Sequence, residues 1–594
     1  MKLGDERKPR RRGKILRNPG TSSVGTSGAI GLAEGRTEQD MRQLEMIMTG
    51  TVIGIDLGTT FSSVAYVDAD GHVICLPNRD GQTLTPSAVY LDDDGRFHVG
   101  AAARDECLRR PEQVALAFKR RIGHPEDPWT VAGRSIDATT LSSLVLRRLR
   151  EDAEHAVGSV AGAVITVPAY FGDRERTATL EAARLAGLKV LDILNEPTAA
   201  ALAYAFDAYV QAGGDAGDLR TAAIAATAPA VCVVCDLGGG TFDVTVLKIS
   251  GPRFDVLATG GALTLGGQDW DERIVDAIER HTLTHGGPDS RYDPRARARM
   301  RRDAEQAKHV LSVKGDVDVP APYEGVPPMR LTRDAFENLT SPLSDRVLQI
   351  ISGVLDDAQL TWNEIEDVLL VGGSTRMPHI RRRIARLSGK TPNTRLQPDL
   401  AVAQGAAVYA AILRVQGDTP PSSTAAAETR KADAAPANAS AFTPAFEAAA
   451  ADIRLSQVNS RSLGVIVRSP RYDKLVNAIV IPRNTRLPAC NTRRFVTHGP
   501  NQRRIRIPIV EGETRDIRES VEVGVCVIDG LPDGLPAGAE VDVTFTYDAS
   551  GRVSVRAEEK TTRRAAETFL DRAASHPPSE LDELAEAVAQ LSAR

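Results

Sequence analysis

Apolar and polar residues alternate in two different ways along this chain. Residues 50–415 alternate short apolar runs with longer amphipathic segments, a pattern that predicts strands and helices in turn. Residues 459–559 alternate apolar and polar residues one by one, as in the run from Val541 to Tyr547, and turn residues separate these runs. We therefore predict an α/β domain followed by an antiparallel β-sandwich.

Three other segments lack both patterns. Residues 1–49 are polar, Gly/Ser-rich and basic at their start, so we predict a disordered extension. Residues 416–458 begin with a stretch rich in Ala, Pro, Ser and Thr, which predicts an insertion and linker. Residues 560–594 predict a short helical tail, because Ser579 can cap a helix whose apolar residues recur at helical spacing. These apolar residues are Leu581, Leu584, Val588 and Leu591.

Composition excludes several classes of function. A chain of 594 residues with 42% apolar residues predicts two or more globular domains. The net charge of −5 gives no basic bias toward nucleic acid. No apolar run is long enough for a membrane span, and the basic N-terminus lacks the apolar stretch of a secretory signal. We predict a cytoplasmic protein without nucleic-acid or membrane partners.

Two Gly-rich turns are the main candidates for chemistry. Residues 56–60 read DLGTT and residues 236–241 read DLGGGT, each at the end of an apolar run. Glycines let the backbone approach a phosphate and aim N–H groups at it, and the aspartate can hold a hydrated Mg²⁺. One such turn fits an ordinary hairpin, but two predict a duplicated fold that closes on a nucleotide. The predicted cradle consists of Gly58, Thr59, Thr60, Gly238, Gly239, Gly240 and Thr241.

Together with further motifs, these turns resemble the DnaK-type heat-shock seventy chaperones, as a divergent, short-lid member. The resemblance runs from about residue 51 to residue 558 and fails in 1–49 and 416–451. Sugar kinases and actin share the turns, whereas the motifs around Pro168 and Glu196 and the β-domain are typical of the chaperones. The additional motifs are VITVPAYF at 164–171, NEPTAAA at 195–201, VGGSTR at 371–376 and Pro398-Asp399 before Gly405-Ala406-Ala407.

The resemblance implies a duplicated actin-like ATPase domain and a β-sandwich that grips extended apolar peptides of unfolded proteins. ATP would loosen the grip and hydrolysis to ADP would tighten it, with J-domain and nucleotide-exchange cochaperones as partners. Asp56, Glu196 and Asp236 would surround Mg²⁺ through its waters, and Thr241 would join them in catalysis.

Further roles also follow from the resemblance. Pro168 and Arg176 would relay the nucleotide state between domains, and Ile505 and Ile507 would line the peptide channel. The ribose and adenine pocket would comprise Glu305, Lys308, Ser312, Gly372, Gly373, Ser374, Arg376 and Asp399. Simpler interpretations stay open, because Glu305 and Lys308 could merely pair on a helix and the two isoleucines fit a plain strand.

Several positions depart from the family pattern. Arg104 stands where we expect the family's γ-phosphate lysine, which predicts slow hydrolysis. Asp192 replaces a basic residue that J-domains use, which opposes their docking. In the linker, Arg454 and Ser456 replace leucines, which predicts weak coupling between nucleotide and peptide. His309 replaces an arginine on the adenine-stacking helix.

Two alternatives remain. A nucleotide-binding holdase or interaction module with weak ATPase activity is favoured by Arg104, Asp192 and Arg454. A sugar or metabolite kinase is disfavoured, because the β-domain and the motif around Pro168 do not suit it.

Overall fold

The structure is a computed structural model that describes residues 50–211, 230–418, 442–469, 474–548 and 553–570. The predicted extension at 1–49 and the apolar stripe of the tail lie outside these residues. None of the described helices combines the length and apolar content that a membrane span needs.

The first half of the α/β domain is built on a sheet in the strand order β11-β10-β1-β2-β3, in which β1, β10 and β11 run parallel and β1 to β3 run antiparallel. Its strands are β1 (Thr51–Asp56), β2 (Phe61–Val67), β3 (Val73–Cys75), β4 (Thr85–Pro86), β5 (Ala88–Leu91), β6 (Phe97–Val99), β7 (Val114–Leu116), β8 (Trp129–Val131), β9 (Arg134–Ile136), β10 (Val160–Val167) and β11 (Val190–Asn195). Its helices are α1 (Ala101–Glu106), α2 (Ala138–Val157), α3 (Asp173–Leu185) and α4 (Glu196–Gln211).

The second half repeats this arrangement, with the sheet order β17-β12-β13-β14. The strand β12 is parallel to β17, and β12 to β14 run antiparallel. Its strands are β12 (Ala230–Leu237), β13 (Phe242–Ser250), β14 (Arg253–Ala262), β15 (Asp316–Val319), β16 (Met329–Thr332) and β17 (Asp367–Val371). Its helices are α5 (Gly267–Thr284), α6 (Pro294–Val313), α7 (Arg333–Leu339), α8 (Ser341–Asp357), α9 (Pro378–Ser388) and α10 (Ala401–Asp418).

Helices α4 and α10 join the two halves. Their alanines and the inner faces of both sheets form one buried apolar cluster. Small residues are required where these elements cross. A Cβ on Gly405 would lie 1.7 Å from the carbonyl oxygen of Ala199, and a Cβ on Gly54 would lie 2.0 Å from the backbone nitrogen of Ala407. The glycine and alanine motifs in this region therefore bring the two sheets, and the turns at their ends, into a fixed relation.

The segment before the β-domain is more ordered than its composition predicts. Residues 444–452 form a helix, α11 (Pro444–Asp452), and then a strand, β18 (Arg454–Ser456). The side chain of Phe446 is fully buried against α10, and Phe442 is 8% exposed. The strand β18 pairs in parallel with β14 and extends its sheet. The range 416–458, which we read as insertion and linker, thus includes a packed helix and an edge strand.

The C-terminal region is a β-sandwich, as predicted. One sheet has the order β20-β19-β22-β23 and the other the order β21-β24-β25-β26, and the apolar faces of both form one core. The last strand extends the sandwich into the region predicted as a helical tail, so this part of that prediction is wrong. The strands are β19 (Leu463–Ser469), β20 (Lys474–Ile481), β21 (Ala489–Val496), β22 (Arg504–Glu511), β23 (Val521–Asp529), β24 (Glu540–Tyr547), β25 (Val553–Glu559) and β26 (Ala565–Phe569).

The β-domain is docked on the α/β domain through polar contacts. The hydroxyl of Ser460 donates a hydrogen bond of 3.0 Å to the carbonyl oxygen of Phe171. The Asn484 side chain accepts from the Thr259 backbone N–H at 2.9 Å. Two ion pairs cross the interface, Arg483 with Asp357 at 2.6 Å and Arg486 with Asp255 at 2.7 Å.

Candidate nucleotide site

The two Gly-rich turns meet at the ends of β1 and β12. A Cβ on Gly239 would lie 1.9 Å from Oγ1 of Thr60, and a Cβ on Gly240 would lie 2.4 Å from the Thr59 side chain. The Oγ1 atom of Thr60 is buried and has no hydrogen-bond partner among the described residues. By contrast, the nearest atom to a Cβ on Gly238 is 3.8 Å away, so that glycine leaves open space. The turns therefore form a cradle lined by backbone and by threonine hydroxyls.

Four carboxylates lie beneath this cradle. Asp56 ends β1, Glu196 begins α4, and Asp236 and Asp243 face each other on β12 and β13. Burial, then the negative charge of Glu196, raises the pKa of Asp56 to about 7 and that of Asp243 to about 8. The same two causes raise the pKa of Asp236 well above its ordinary value. The cluster therefore carries more negative charge than its surroundings offset.

Lys119 brings a buried positive charge to these carboxylates, and the sequence reasoning missed it. Its Nζ donates a hydrogen bond of 2.8 Å to Oε1 of Glu196 and another to the carbonyl oxygen of Leu57. The side chain is 3% exposed and lies on the short 3₁₀ turn Phe118–Arg121. In the sequence, Lys119 directly follows Phe118 and lies three positions before Ile122. The structure buries both of these apolar residues.

Arg104, expected near the γ-phosphate, is paired elsewhere. Its guanidinium donates to the Glu305 carboxylate and lies 5.0 Å from the centre of the Phe61 ring. The contact joins α1 of the first half to α6 of the second. The structure thus brings Arg104 to Glu305, another predicted site residue, whereas the backbone turn before β8 brings Lys119 to the carboxylates.

Arg120, the neighbour of Lys119, fixes the second turn. Its Nε donates to the carbonyl oxygen of Gly240 at 3.0 Å, and its terminal nitrogens contact both carboxylate oxygens of Asp269. Asp269 in turn accepts from the Gly266 N–H at 2.8 Å. A first-half arginine therefore holds the turn of the second half, a link that no single motif indicates.

The residues predicted for ribose and adenine gather on α6 and beside β17. Lys308 is 7% exposed, and its Nζ donates to Asp271 at 2.7 Å and to the carbonyl oxygen of Gly267 at 3.0 Å. Ser312 donates to the Lys308 carbonyl oxygen at 3.0 Å. Lys308 therefore pairs with α5 and not with Glu305, although both lie on α6.

The motif at 371–376 reaches the second turn from the other side. The hydroxyl of Ser374 donates to the Gly238 carbonyl oxygen at 2.9 Å. Gly372 has a positive φ of 80°, and a Cβ there would lie 2.5 Å from Oδ1 of Asp236. Arg376 donates to Asp399 at 2.5 Å, and the same aspartate lies 2.8 Å from where a Cβ of Gly373 would be. Positive φ and close approach explain why glycine is needed here.

A short turn links the carboxylates to the β-domain. The Tyr170 N–H donates to Oδ1 of Asp243 at 3.1 Å. The next residue, Phe171, accepts through its carbonyl oxygen from Arg176 at 3.2 Å and from Ser460 of the β-domain at 3.0 Å. Arg176 also contacts the side chain of Asn195, the residue before Glu196. Pro168, just before this turn, is buried.

Asp192 is tied to a partner inside the domain. Its carboxylate accepts a hydrogen bond of 2.9 Å from the Tyr409 hydroxyl on α10. Burial raises its pKa, and the hydrogen bond from Tyr409 opposes this rise. This carboxylate is therefore not freely presented to a partner, which weakens the reasoning that its charge repels J-domains.

Comparison with known proteins identifies the family. The family model "Hsp70 protein" matches residues 52–422 and 426–594. The chaperone protein DnaK of Thermotoga neapolitana is 36% identical over 517 residues, which cover 86% of this chain and 78% of that protein. The chaperone protein dnaK1 of Nostoc is 36% identical over 566 residues, 90% of this chain and 74% of that protein. The chloroplastic heat shock 70 kDa protein 6 of Arabidopsis thaliana is 34% identical over 569 residues, with coverages of 91% and 71%.

A duplicated α/β domain with two facing Gly-rich turns, joined to a β-sandwich, defines the class of actin-like ATPases that carry a peptide-binding domain. The chain belongs to the Hsp70 family. It is an ATP-dependent chaperone that binds ATP and ADP and acts on unfolded proteins, as the resemblance predicted.

Proposed function

We propose that the two Gly-rich turns hold the nucleotide phosphates and that Asp56, Glu196 and Asp236 would hold Mg²⁺. The observation that supports this most is the buried group of Asp56, Glu196 and Asp236. Carboxylate oxygens are the ligands that Mg²⁺ prefers, directly or through water. The raised pKa values reflect burial and the repulsion from Glu196, and a bound cation would offset both. A bound Mg²⁺ would supply charge neutralisation of the phosphates. The free hydroxyl of Thr60 suits a phosphate oxygen.

We further infer that Lys119, Glu196 and Thr241 position the terminal phosphate and the attacking water. Lys119 is held from two sides, by Glu196 and by the Leu57 carbonyl, so its ammonium group is preorganised. Glu196 and Thr241 offer oxygen atoms to orient a water. Asp56 and Asp236 act through the metal. In this assignment Lys119, and not Arg104, carries the role of the family lysine.

Single-turnover hydrolysis tests this assignment. We expect Lys119→Met to lower the hydrolysis rate by about 10²-fold or more, because one preorganised charge is lost. ATP affinity should change far less, since the backbone of the turns remains. The exposed lysine Lys189 provides the matched control, Lys189→Met, with an unchanged rate. An unchanged rate in Lys119→Met would refute the role.

The same measurement separates the chaperone from the alternative of a holdase with weak ATPase activity. That alternative rested on Arg104, Asp192 and Arg454. Arg104 and Asp192 have intramolecular partners, and Arg454 lies on a strand that pairs with β14, so these departures have structural explanations. If peptide stimulates ATP hydrolysis by the wild type, the result supports a chaperone cycle driven by ATP. If the protein binds peptide and nucleotide without hydrolysis, the result supports the holdase.

We propose that clients bind the β-domain next to Ile505 and Ile507 on β22. Ile507 is 7% exposed and Ile505 is partly buried, and both contribute to the apolar face of the sandwich. Ile505→Ser should weaken binding of a labelled apolar peptide in an anisotropy titration. Val521→Ser, at a position that is 43% exposed on the next strand, is the control.

J-domain and nucleotide-exchange cochaperones are proposed as partners on family grounds. Asp192→Arg is expected to increase stimulation by a J-domain protein, because it places a cation where the family carries a basic residue. Tyr409→Phe removes the hydrogen bond and keeps the charge, so it serves as the control. Equal stimulation of all three proteins would remove the charge argument. The cytoplasmic location stays a prediction.

A further inference from the structure

A cluster of charged side chains is buried where the β-domain meets the ATPase domain. Glu511, at the end of β22, is 8% exposed. It faces the first turn of α3, where Asp173 and Glu175 are 6% and 7% exposed. A Cβ on Gly172 would lie 2.7 Å from Oε2 of Glu511 and 3.2 Å from Oε2 of Glu175. Carboxylates from two domains therefore share one desolvated space.

Two cations face this group. Nε of Arg461, in the β-domain, lies 3.4 Å from the same Cβ position, and its guanidinium lies 5.0 Å from the centre of the Tyr170 ring. On the other side, Nε2 of His124 is 3.7 Å from Oε1 of Glu175. The second ring nitrogen of His124 is 3.1 Å from the exposed Glu126. Cations from both domains therefore contact the same group of buried carboxylates.

The surroundings decide which carboxyl group takes a proton. Burial opposes ionisation of Glu175, but hydrogen bonding with His124 and the charge of Arg461 hold its pKa below the ordinary value. For Glu511, burial and then the charge of Asp173 raise the pKa to about 8, which the Arg461 charge only partly offsets. In turn, the neighbouring Glu175 carboxylate raises the pKa of His124.

We propose that docking of the β-domain on the ATPase domain takes up a proton at Glu511, so that acidification favours the docked arrangement. Undocking removes Asp173, Glu175 and the turn at Gly172 from the carboxyl group and admits water. The proposal concerns docking itself and goes beyond the nucleotide chemistry, because every group in it lies outside the phosphate cradle.

The sign follows from linkage. The pKa of Glu511 is about 8 when docked and returns toward about 4.5 when the group is solvated. The docked form therefore binds the proton more tightly. The stabilisation of the docked form by this proton is complete below the pKa of the solvated Glu511 and is lost as the pH rises through about 8. Within this window each pH unit changes the docking equilibrium by at most about tenfold.

The test is fluorescence energy transfer between dyes on the two domains of the full-length chain, with and without ATP, from pH 5.5 to pH 8.5. The docked fraction of the wild type should rise as the pH falls. Glu511→Gln keeps the shape of the side chain without its charge, so it should be docked equally at every pH. Glu522→Gln, an exposed carboxylate paired with Arg506, should behave as the wild type.

Two further variants keep the test decisive if Glu511→Gln fails to fold, which thermal melting would reveal. Arg461→Gln should weaken docking at pH 8.5 and regain it at low pH, because Glu511 loses its nearest cation. His124→Gln should keep the pH dependence. The proposal would be overturned if the docked fraction of the wild type or of Arg461→Gln did not change with pH. It would also be overturned if the pH dependence of docking survived in Glu511→Gln and vanished in His124→Gln.

Discussion

At the scale of single residues, the site depends on which side chains the fold buries together. Lys119 is buried among carboxylates that its own segment does not contain, while Arg104, the cation that motif reasoning selected, contacts Glu305 and Phe61. Both are basic residues that follow a run of small or apolar residues in the sequence. Only the distances show that one faces the phosphate turns and the other closes the two halves of the domain.

Gly238 allows a sharp test of the cradle. A Cβ there meets no described atom closer than 3.8 Å, so Gly238→Val should fold and yet fill the space beside the backbone N–H groups. We expect calorimetry to show loss of ATP and ADP binding with an unchanged melting temperature. Gly240→Val is the contrasting variant, because its Cβ would lie 2.4 Å from the Thr59 side chain. We expect this substitution to lower the stability of the fold as well. Equal nucleotide affinity in the wild type and Gly238→Val would contradict the assignment.

Arg104 gives a second prediction at this scale. Its contact with Glu305 spans α1 and α6, so removing it should loosen the two halves around a bound nucleotide. We expect Arg104→Ala to release fluorescent ADP several-fold faster, since a partly exposed ion pair contributes about 1 kcal/mol. The hydrolysis step itself should change little. Arg109→Ala, at an exposed pair with Glu106, is the control. If Arg104→Ala slowed single-turnover hydrolysis and left ADP release unchanged, the result would support a catalytic role for Arg104.

At the scale of elements, the linker is attached more firmly than its side chains suggest. Leucines are missing at Arg454 and Ser456, but the strand pairs with β14 and the Ser456 hydroxyl donates to Asp255 at 2.7 Å. The amide of Gln416 on α10 donates to the carbonyl oxygens of Ala450 and Ile453 at 3.1 and 3.0 Å. Backbone hydrogen bonds and a buried helix therefore supply contacts that we expected to be lost.

The helix α11 is the element to test. Phe446 is fully buried, so Phe446→Ala should cost about 3 kcal/mol through the cavity it leaves. This is enough to release α11 and to expose β18. We expect faster amide hydrogen exchange at residues 454–456, with little change in the sheet of β12 and β13. Phe569→Ala, at a position that is 65% exposed, should leave the exchange unchanged. Protection of β18 that persists in Phe446→Ala would show that strand pairing alone holds the linker.

At the scale of the whole molecule, coupling between nucleotide and peptide must pass through the docked interface. Asp255 is a shared contact, because it accepts from Ser456 of the linker and from Arg486 of the β-domain, each at 2.7 Å. The turn at Phe171 is a second route, since it contacts Ser460 and leads to Asp243. The predicted weak coupling between nucleotide and peptide therefore depends on these polar contacts, and not on the linker side chains alone.

Asp255→Ala tests this route. It removes two hydrogen bonds that cross to the linker and the β-domain, each with a net contribution of about 1 kcal/mol. We expect a smaller docked fraction by energy transfer and a smaller effect of ATP on the anisotropy of a bound peptide. Asp529→Ala, at an exposed pair with Arg504 at the opposite end of β22 from Glu511, should change neither. A full ATP effect in Asp255→Ala would assign the coupling to the Phe171 turn.

The sequence by itself determined the class of fold, the sandwich and the positions of both Gly-rich turns. These properties follow from periodicity and from glycine chemistry, which act over a few neighbouring residues. Cys232 and Cys235 illustrate this: strand alternation predicts that they point to opposite sides, and they belong to different apolar clusters.

Only the tertiary structure decided which charges meet. The partners of Lys119, Asp192 and Glu511 come from other segments or from the other domain, so no local pattern specifies them. The same holds for α11, whose Ala-rich sequence is typical of a linker. Only the structure shows that its Phe446 packs against α10. Burial and long-range pairing depend on the packing of the whole chain, which is why composition and motif spacing did not reveal them.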